Sequence, residues 1–105
     1  MKIYGLKNCD TCRKALKSIP SADFVDVRSD GMPTDVLKAA LESFAENLVN
    51  KRSTTWRNLS EEEREKAPLE LLQAHPALMK RPLIEAEGVL YLGWTADVRQ
   101  SLGVA

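Results

Sequence analysis

The chain has 105 residues and no net charge, because 15 Lys and Arg balance 15 Asp and Glu, and it contains two cysteines. This length suits one domain with its own hydrophobic core. Neutrality argues against nucleic-acid binding by bulk electrostatic attraction, and two cysteines are too few for a disulfide-stapled secreted scaffold. No apolar run approaches the roughly 20 residues that cross a membrane. We therefore expect a monomer of the reducing cytoplasm that binds neither nucleic acid nor membrane.

The start of the chain predicts a β-α-β unit. Residues 2–6 form a short strand pattern, and apolar residues return at helical spacing over residues 10–19. Pro20 ends this helix, and residues 24–27 predict a second strand. A unit of this kind implies two parallel strands joined by a right-handed crossover.

The middle of the chain predicts helices. Residues 34–47 are amphipathic, with Thr34 as the expected N-cap, whereas residues 50–59 show no clear period. Ser60 and Glu63 have the spacing of a capping box, which predicts a helix start, and residues 69–74 predict a further short helix.

The end of the chain predicts a β-hairpin over residues 83–92 and a final helix over residues 94–102. The complete order is β-α-β, then helices, then β-β-α. This order predicts a thioredoxin-like α/β fold in which a helical segment, about residues 33–80, is inserted between the two halves of a single domain, 1–105.

The two cysteines, Cys9 and Cys12, lie three residues apart where the first strand leads into the first helix. Unpaired N–H groups and the helix dipole stabilise a thiolate there, lowering its pKa from about 8.5 to roughly 3.5–7.5. We expect Arg13 and Lys14 to add positive charge nearby. Cys9, before the helix, is predicted to attack, and Cys12 to resolve the mixed disulfide.

Two other interpretations of the pair stay open. Both thiols could be plain core residues, since free cysteine is often buried. A zinc site would need four ligands, and beyond the pair only His75 offers a typical one. We therefore predict no bound metal.

Three segments in order carry a family resemblance: residues 3–15 around the N-C-D-T-C-R-K-A string, residues 50–59, and residues 75–83 followed by Leu92-Gly93. With them the chain resembles the ArsC/Spx/YffB group of thioredoxin-fold proteins, and it is most similar to the YffB-type branch. The segments together span nearly the full length.

The resemblance implies roles for individual residues. Cys9 matches the nucleophilic cysteine, and Arg57 and Arg81 match two arginines of the arsenate-reductase site. Guanidinium groups bind oxyanions and carboxylates through two parallel hydrogen bonds, so both arginines are expected to act in catalysis and in substrate binding. Pro82 matches the proline that is cis in thioredoxin folds and faces the cysteine loop, and both Pro82 and Asn8 are predicted to contact substrate.

The resemblance also implies a function. We expect a thiol-disulfide oxidoreductase of the glutathione-dependent reductase type, with no bound cofactor and glutathione as the thiol co-substrate. Its substrate would be a small thiol, disulfide or oxyanion compound. One alternative is an Spx-type redox-switch regulator that binds the RNA polymerase α-subunit. Another is an arsenate reductase, although that pattern has a third arginine where Gly93-Trp94 stands here.

Overall fold

The structure is a computed structural model that describes residues 1–104. These residues divide into two compact units, one formed by Met1–Asp30 together with the chain from Arg81 onward, and the other by Gly31–Lys80. The elements in chain order are β1 (Lys2–Gly5), α1 (Asp10–Ser18), β2 (Asp23–Asp26), α2 (Thr34–Phe44), α3 (Thr54–Arg57), α4 (Glu61–Arg64), α5 (Pro68–Ala74), β3 (Leu83–Ala86), β4 (Val89–Leu92) and α6 (Ala96–Ser101), with short 3₁₀ helices at Ala45–Leu48 and Pro76–Leu78.

The first unit contains a four-stranded sheet in the order β2-β1-β3-β4. Strand β1 runs parallel to β2 and antiparallel to β3, and β3 forms a hairpin with β4. Glu87 turns this hairpin in the left-handed region, with φ 52°. The β-α-β and β-β-α halves thus join through the β1–β3 pair. This arrangement confirms the predicted thioredoxin-like α/β fold.

The core of the first unit holds α1 against the sheet. Ile3 of β1 and Ile84 of β3 are fully buried, and Ala15 and Ile19 bring α1 onto them. Burial of side chains of this size contributes about 1.5–3 kcal/mol each. Further half-buried residues of the same unit pack on this cluster: Leu16, Phe24, Tyr91, Trp94, Val98 and Leu102. The packing fixes the start of α1, where both cysteines lie.

The second unit is helical. Helix α2 contacts α5, and Val49 and Met79 form an isolated antiparallel bridge. The Asn50 N–H donates to the Leu78 carbonyl at 2.8 Å beside this bridge. The unit runs over residues 31–80, against about 33–80 for the predicted insert. That the whole chain acts as one domain stays a prediction.

Three local predictions in this unit differ from the structure. Thr34 is not the N-cap of α2, because Pro33 takes that position with extended backbone, and the Thr34 hydroxyl instead accepts from Gln73 Nε2 at 3.5 Å. Helix α2 ends before residue 47, because Ala45 has φ 50° and starts a 3₁₀ turn. Helix α3 lies in the segment without a clear period.

The helices of residues 1–104 include none that combines the length and the apolar character needed to span a bilayer.

Candidate active site

The cysteine loop connects β1 to α1. Cys9 is the N-cap of α1, with φ −94° and ψ 120°, and its N–H donates to the Leu6 carbonyl at 3.1 Å. Its carbonyl accepts from the Arg13 N–H at 3.0 Å, which begins the helix. Both cysteines are free thiols, Cys9 half-buried and Cys12 fully buried. The two sulfurs therefore belong to one helical turn but differ in their access to solvent.

The surroundings of Cys9 favour its charged form. Partial burial opposes ionisation, but the backbone N–H and the thiol of Cys12 and the Arg81 guanidinium all stabilise the thiolate. These groups together hold the pKa of Cys9 below its ordinary value. A thiolate is the nucleophilic form of cysteine, so the accessible thiol of the pair is also the activated one.

Cys12 has the opposite character. Burial, reinforced by the hydrogen bond to Cys9 and by the Cys9 charge, raises the pKa of Cys12 to about 12, even though the Leu6 amide and Arg81 act in the lowering direction. Cys12 is therefore a protonated, shielded thiol for as long as Cys9 carries the negative charge. A low pKa suits an attacking cysteine and a shielded thiol suits a resolving one, and these roles of Cys9 and Cys12 stay predictions.

Arg81 and Pro82 reach the cysteine loop from the other half of the sheet. They directly precede β3, which pairs with β1, and the Arg81 side chain hydrogen-bonds to Cys9. The Arg81–Pro82 peptide bond is cis, and Pro82 is fully buried. Its carbonyl accepts from the Gly93 N–H at 2.8 Å, which connects this segment to the end of β4. The structure thus brings Cys9, Cys12, Arg81 and Pro82 together.

The other two predicted site residues, Asn8 and Arg57, belong to different units. Asn8 is exposed in the cysteine loop, immediately before Cys9. Arg57 belongs to the second unit, where it is the exposed last residue of α3 and its carbonyl accepts from Arg64 Nη2 at 3.1 Å. The roles that the resemblance implies for Asn8 and Arg57 stay predictions.

Arg13 and Lys14, the cations expected to act on Cys9 from α1, are not among the groups that lower its pKa. Arg13 Nε donates to the Lys7 carbonyl at 2.9 Å, and Arg13 Nη1 lies 3.6 Å from Asp10 Oδ1. Lys14 lines a cavity on the outer side of α1 together with Trp94. The cation that acts on the Cys9 thiolate is Arg81, which approaches from β3 rather than from the helix.

A buried carboxylate beneath the loop was missed by the sequence analysis. Asp26, at the end of β2, accepts from the Lys7 amide at 3.0 Å and from the Arg28 and Ser29 amides at 2.9 and 3.1 Å. The Lys7 hydrogen bond, which outweighs burial, and the other two hold the pKa of Asp26 below its usual range. Asp26 fixes the first residue of the cysteine loop. The local signal was an aspartate followed by a short polar turn, a pattern that favours hydrogen bonds to nearby amides.

Metal ligation finds little support in the part of the chain that the structure describes. Residues 1–104 contain no cluster of three or more His, Cys, Asp or Glu side chains able to hold a metal ion. His75, the further ligand considered with the cysteines, lies in the second unit with its Nε2 3.1 Å from Glu63 Oε2.

A family model described as the ArsC family matches residues 4–101. The chain belongs to the ArsC family. An uncharacterized protein of Haemophilus influenzae is 41% identical over 108 residues, covering 94% of this chain and 95% of that protein. The global transcriptional regulator Spx of Listeria monocytogenes is 28% identical over 106 residues, covering 90% and 80%. Among solved structures, a YFFB protein matches with a TM-score of 0.83 at 27% identity, covering 95% and 96%.

Within this ArsC-family chain, the segment after β4 departs from the arsenate-reductase pattern. Gly93-Trp94 stands where that pattern has its third arginine, and Gly93 has φ 84°, a conformation that residues with side chains rarely adopt. An arginine at position 93 would therefore strain the backbone. Trp94 follows and packs against the core.

Proposed function

We propose that this protein is a thiol-disulfide oxidoreductase that uses Cys9 as its nucleophile and glutathione as a co-substrate. The observation that carries the proposal is that the pKa values of two thiols in one helical turn are shifted in opposite directions. The pKa of half-buried Cys9 is lowered, whereas burial raises the pKa of Cys12 to about 12. Membership of the ArsC family supports a thiol-dependent reaction.

In the first step, the Cys9 thiolate attacks one sulfur of a disulfide R–S–S–R′. A Cys9–S–S–R bond forms, and R′S⁻ leaves with the electron pair of the broken bond. Arg81, which stabilises the Cys9 thiolate through a hydrogen bond and its charge, also attracts anionic substrates to the site. One sulfur of the substrate has then left as a thiolate, and the other is bound to Cys9.

In the second step, Cys12 attacks the Cys9 sulfur and releases RS⁻, leaving a Cys9–Cys12 disulfide. Two of the causes that raise the pKa of Cys12, after burial, are its hydrogen bond to Cys9 and the Cys9 charge. Both disappear once Cys9 is in the mixed disulfide, so the pKa of Cys12 falls when its thiolate is needed. Two glutathione molecules then return the pair to thiols and leave as glutathione disulfide; alternatively, external glutathione resolves the mixed disulfide directly.

A panel of single-cysteine variants tests this mechanism. We expect wild-type protein to reduce a glutathione mixed disulfide, and Cys9→Ser to lose all activity. Loss of activity in Cys12→Ser as well would indicate the internal dithiol route, and retained activity would indicate resolution by external glutathione. Equal turnover by Cys9→Ser and wild-type protein would contradict the proposal.

An Spx-type regulator is a second candidate, favoured by the Spx relatives that align with 90% of this chain. In that case the Cys9–Cys12 disulfide would change affinity for the RNA polymerase α-subunit, and turnover would be irrelevant. Binding of purified α-subunit that changes with oxidation in wild-type protein but not in Cys12→Ser would support this function over the reductase.

Arsenate reduction is a weaker candidate, because Gly93-Trp94 stands where the arsenate-reductase pattern has a third arginine. Arsenate-dependent oxidation of glutathione by the purified protein would support arsenate reduction as the function. The same assay on Arg57→Gln and Arg81→Gln would test whether both arginines act on an oxyanion, as the resemblance implies.

A further inference from the structure

A cavity of about 430 Å³ lies on the outer side of α1 in the first unit. Its walls come from α1, from the segment after β4 and from α6. The lining residues are Thr11, Lys14, Lys17, Ser18, Trp94 and Arg99, and we call this surface the cationic cleft. The volume falls in the range of small-molecule sites, about 300–1,000 Å³.

The cationic cleft carries positive charge that no acid in its lining offsets. Lys14, Lys17 and Arg99 supply three cations, the lining contains no acid, and none of the three takes part in an ion pair within residues 1–104. Asp10, the acid at the start of α1, is paired with Arg13 instead. In a chain with no net charge, this local excess attracts anions.

The cleft is built on well-packed elements and adjoins the cysteine loop. Trp94 is half-buried and packs against the core of the first unit, so one wall is held in place. Thr11 lines the cleft and lies between Cys9 and Cys12 in the first turn of α1. A small molecule that contacts Thr11 in the cleft therefore lies next to the turn that carries both thiols.

We propose that the cationic cleft binds the anionic portion of the molecule whose sulfur Cys9 attacks, so that the preferred substrates are disulfides carrying carboxylate groups. This inference rests on the proposed function. Ammonium and guanidinium groups bind carboxylates through charge-assisted hydrogen bonds, and the hydroxyls of Thr11 and Ser18 supply further donors. The Trp94 ring offers an apolar face for the remainder of the ligand.

Two chromogenic aromatic disulfides separate charge from reactivity. Dithiobis(nitrobenzoate) carries two carboxylates, and dithiodipyridine carries none. In both cases the Cys9 thiolate forms a mixed disulfide and releases one aryl thiolate, and Cys12 then loses its proton, closes the Cys9–Cys12 disulfide and releases the second. The ratio of the two rate constants reports the preference for the anionic reagent.

We expect this ratio to fall in Lys14→Gln and in Arg99→Gln by roughly two- to fivefold each, the size of an exposed ion pair. Arg99→Lys, which keeps the charge, should largely restore the ratio, and added salt should lower the wild-type ratio. The matched controls are Lys2→Gln and Lys38→Gln, which remove exposed cations from the far end of β1 and from α2. Both controls should keep the wild-type ratio.

The outcomes distinguish this inference from the function on which it rests. Equal thiolate release by wild-type protein and Cys9→Ser would contradict the proposed function, and the cleft would lose its substrate with it. Fast, Cys9-dependent release with the same ratio in Lys14→Gln, Arg99→Gln and the two controls would overturn the inference about the cleft alone.

Discussion

A Cβ atom on Gly5 would overlap the sulfur of Cys12 and would lie only 3.2 Å from the Cys12 Cβ. Both residues are fully enclosed, Gly5 in the central strand β1 and Cys12 on the buried face of α1. The close approach of strand and helix sets the position of the Cys12 sulfur. Glycine is required here for space, since Gly5 does not have a positive φ.

We therefore predict that Gly5→Ala destabilises the protein by about 1–3 kcal/mol, as is typical of overpacking in a core. It should also slow formation of the Cys9–Cys12 disulfide, because the Cys12 sulfur must move. Urea unfolding and the rate of oxidation by a small disulfide measure the two effects. In a Cys12→Ala background the overlapping sulfur is gone, and most of the stability loss should disappear. An equal loss in both backgrounds would mean that crowding of the sulfur is not the cause.

Arg81→Gln should raise the pKa of Cys9, because the wild-type guanidinium stabilises the thiolate through a hydrogen bond and its charge. The pH dependence of Cys9 alkylation by iodoacetamide, with the site identified by mass spectrometry, measures this pKa. The midpoint should move to higher pH, and alkylation at neutral pH should become slower.

Arg13→Gln is the matched control for Arg81. It removes a guanidinium from the same neighbourhood, but Arg13 is engaged with Asp10 and with the Lys7 carbonyl. We expect a smaller change of the alkylation midpoint than in Arg81→Gln. A larger change in the Arg13 variant would assign the stabilising charge to α1 instead of to the segment before β3.

Asp26→Asn should cost about 1–3 kcal/mol of stability at neutral pH, because three backbone amides lose a charged acceptor. The pKa of Asp26 is lower in the folded protein than in the unfolded chain. Its charge therefore contributes to the free energy of unfolding at pH values above the unfolded pKa of about 3.9. It is lost as the pH falls through the folded pKa.

Denaturation of wild-type protein and Asp26→Asn over a range of acidic to neutral pH tests this dependence. The stability difference between them should shrink on acidification. Asp23→Asn, an exposed position on the same strand, serves as the control and should show little difference at any pH. A pH-independent cost of Asp26→Asn would contradict the role of its charge.

Ser60→Ala should destabilise the second unit by about 1 kcal/mol, the usual cost of removing an N-cap. The Ser60 hydroxyl accepts from the Glu63 N–H at 3.2 Å and is the cap of the four-residue helix α4. Ser43→Ala, at an exposed position of α2, is the control and should be neutral or slightly stabilising. Equal urea midpoints for the two variants would show that the cap contributes nothing.

Local sequence patterns were sufficient for the order of most elements. The capping spacing of Ser60 and Glu63 placed the start of α4, and the Glu87-Gly88 pair placed the hairpin turn. Helix α3 was not predicted, because four residues are too few to show a hydrophobic period. Its signal was the Ser53 cap, whose hydroxyl accepts from the Trp56 N–H at 3.1 Å.

The sequence predicted those parts of the candidate site that depend on residues close to one another in the chain. That Cys9 stands at the start of a helix follows from the strand-to-helix transition around it. The charge acting on Cys9 did not follow from the local sequence. Arg13 is close in sequence but is paired with Asp10, and Lys14 lines the cationic cleft, whereas strand pairing brings Arg81 to Cys9. Asp26 was also missed because its contact is distant in sequence. It accepts a hydrogen bond from the Lys7 amide, which reaches it only because β1 pairs with β2.

The pairing of β1 with β3 has a consequence for the newly made chain. Cys9 precedes Arg81 in the chain and is made first, and Arg81 is one of the groups that stabilise its thiolate. Until the two strands meet, the Cys9 thiolate lacks the hydrogen bond and the charge of Arg81, so a larger fraction of Cys9 stays protonated. Cys9 thus gains its full reactivity only when β1 and β3 pair.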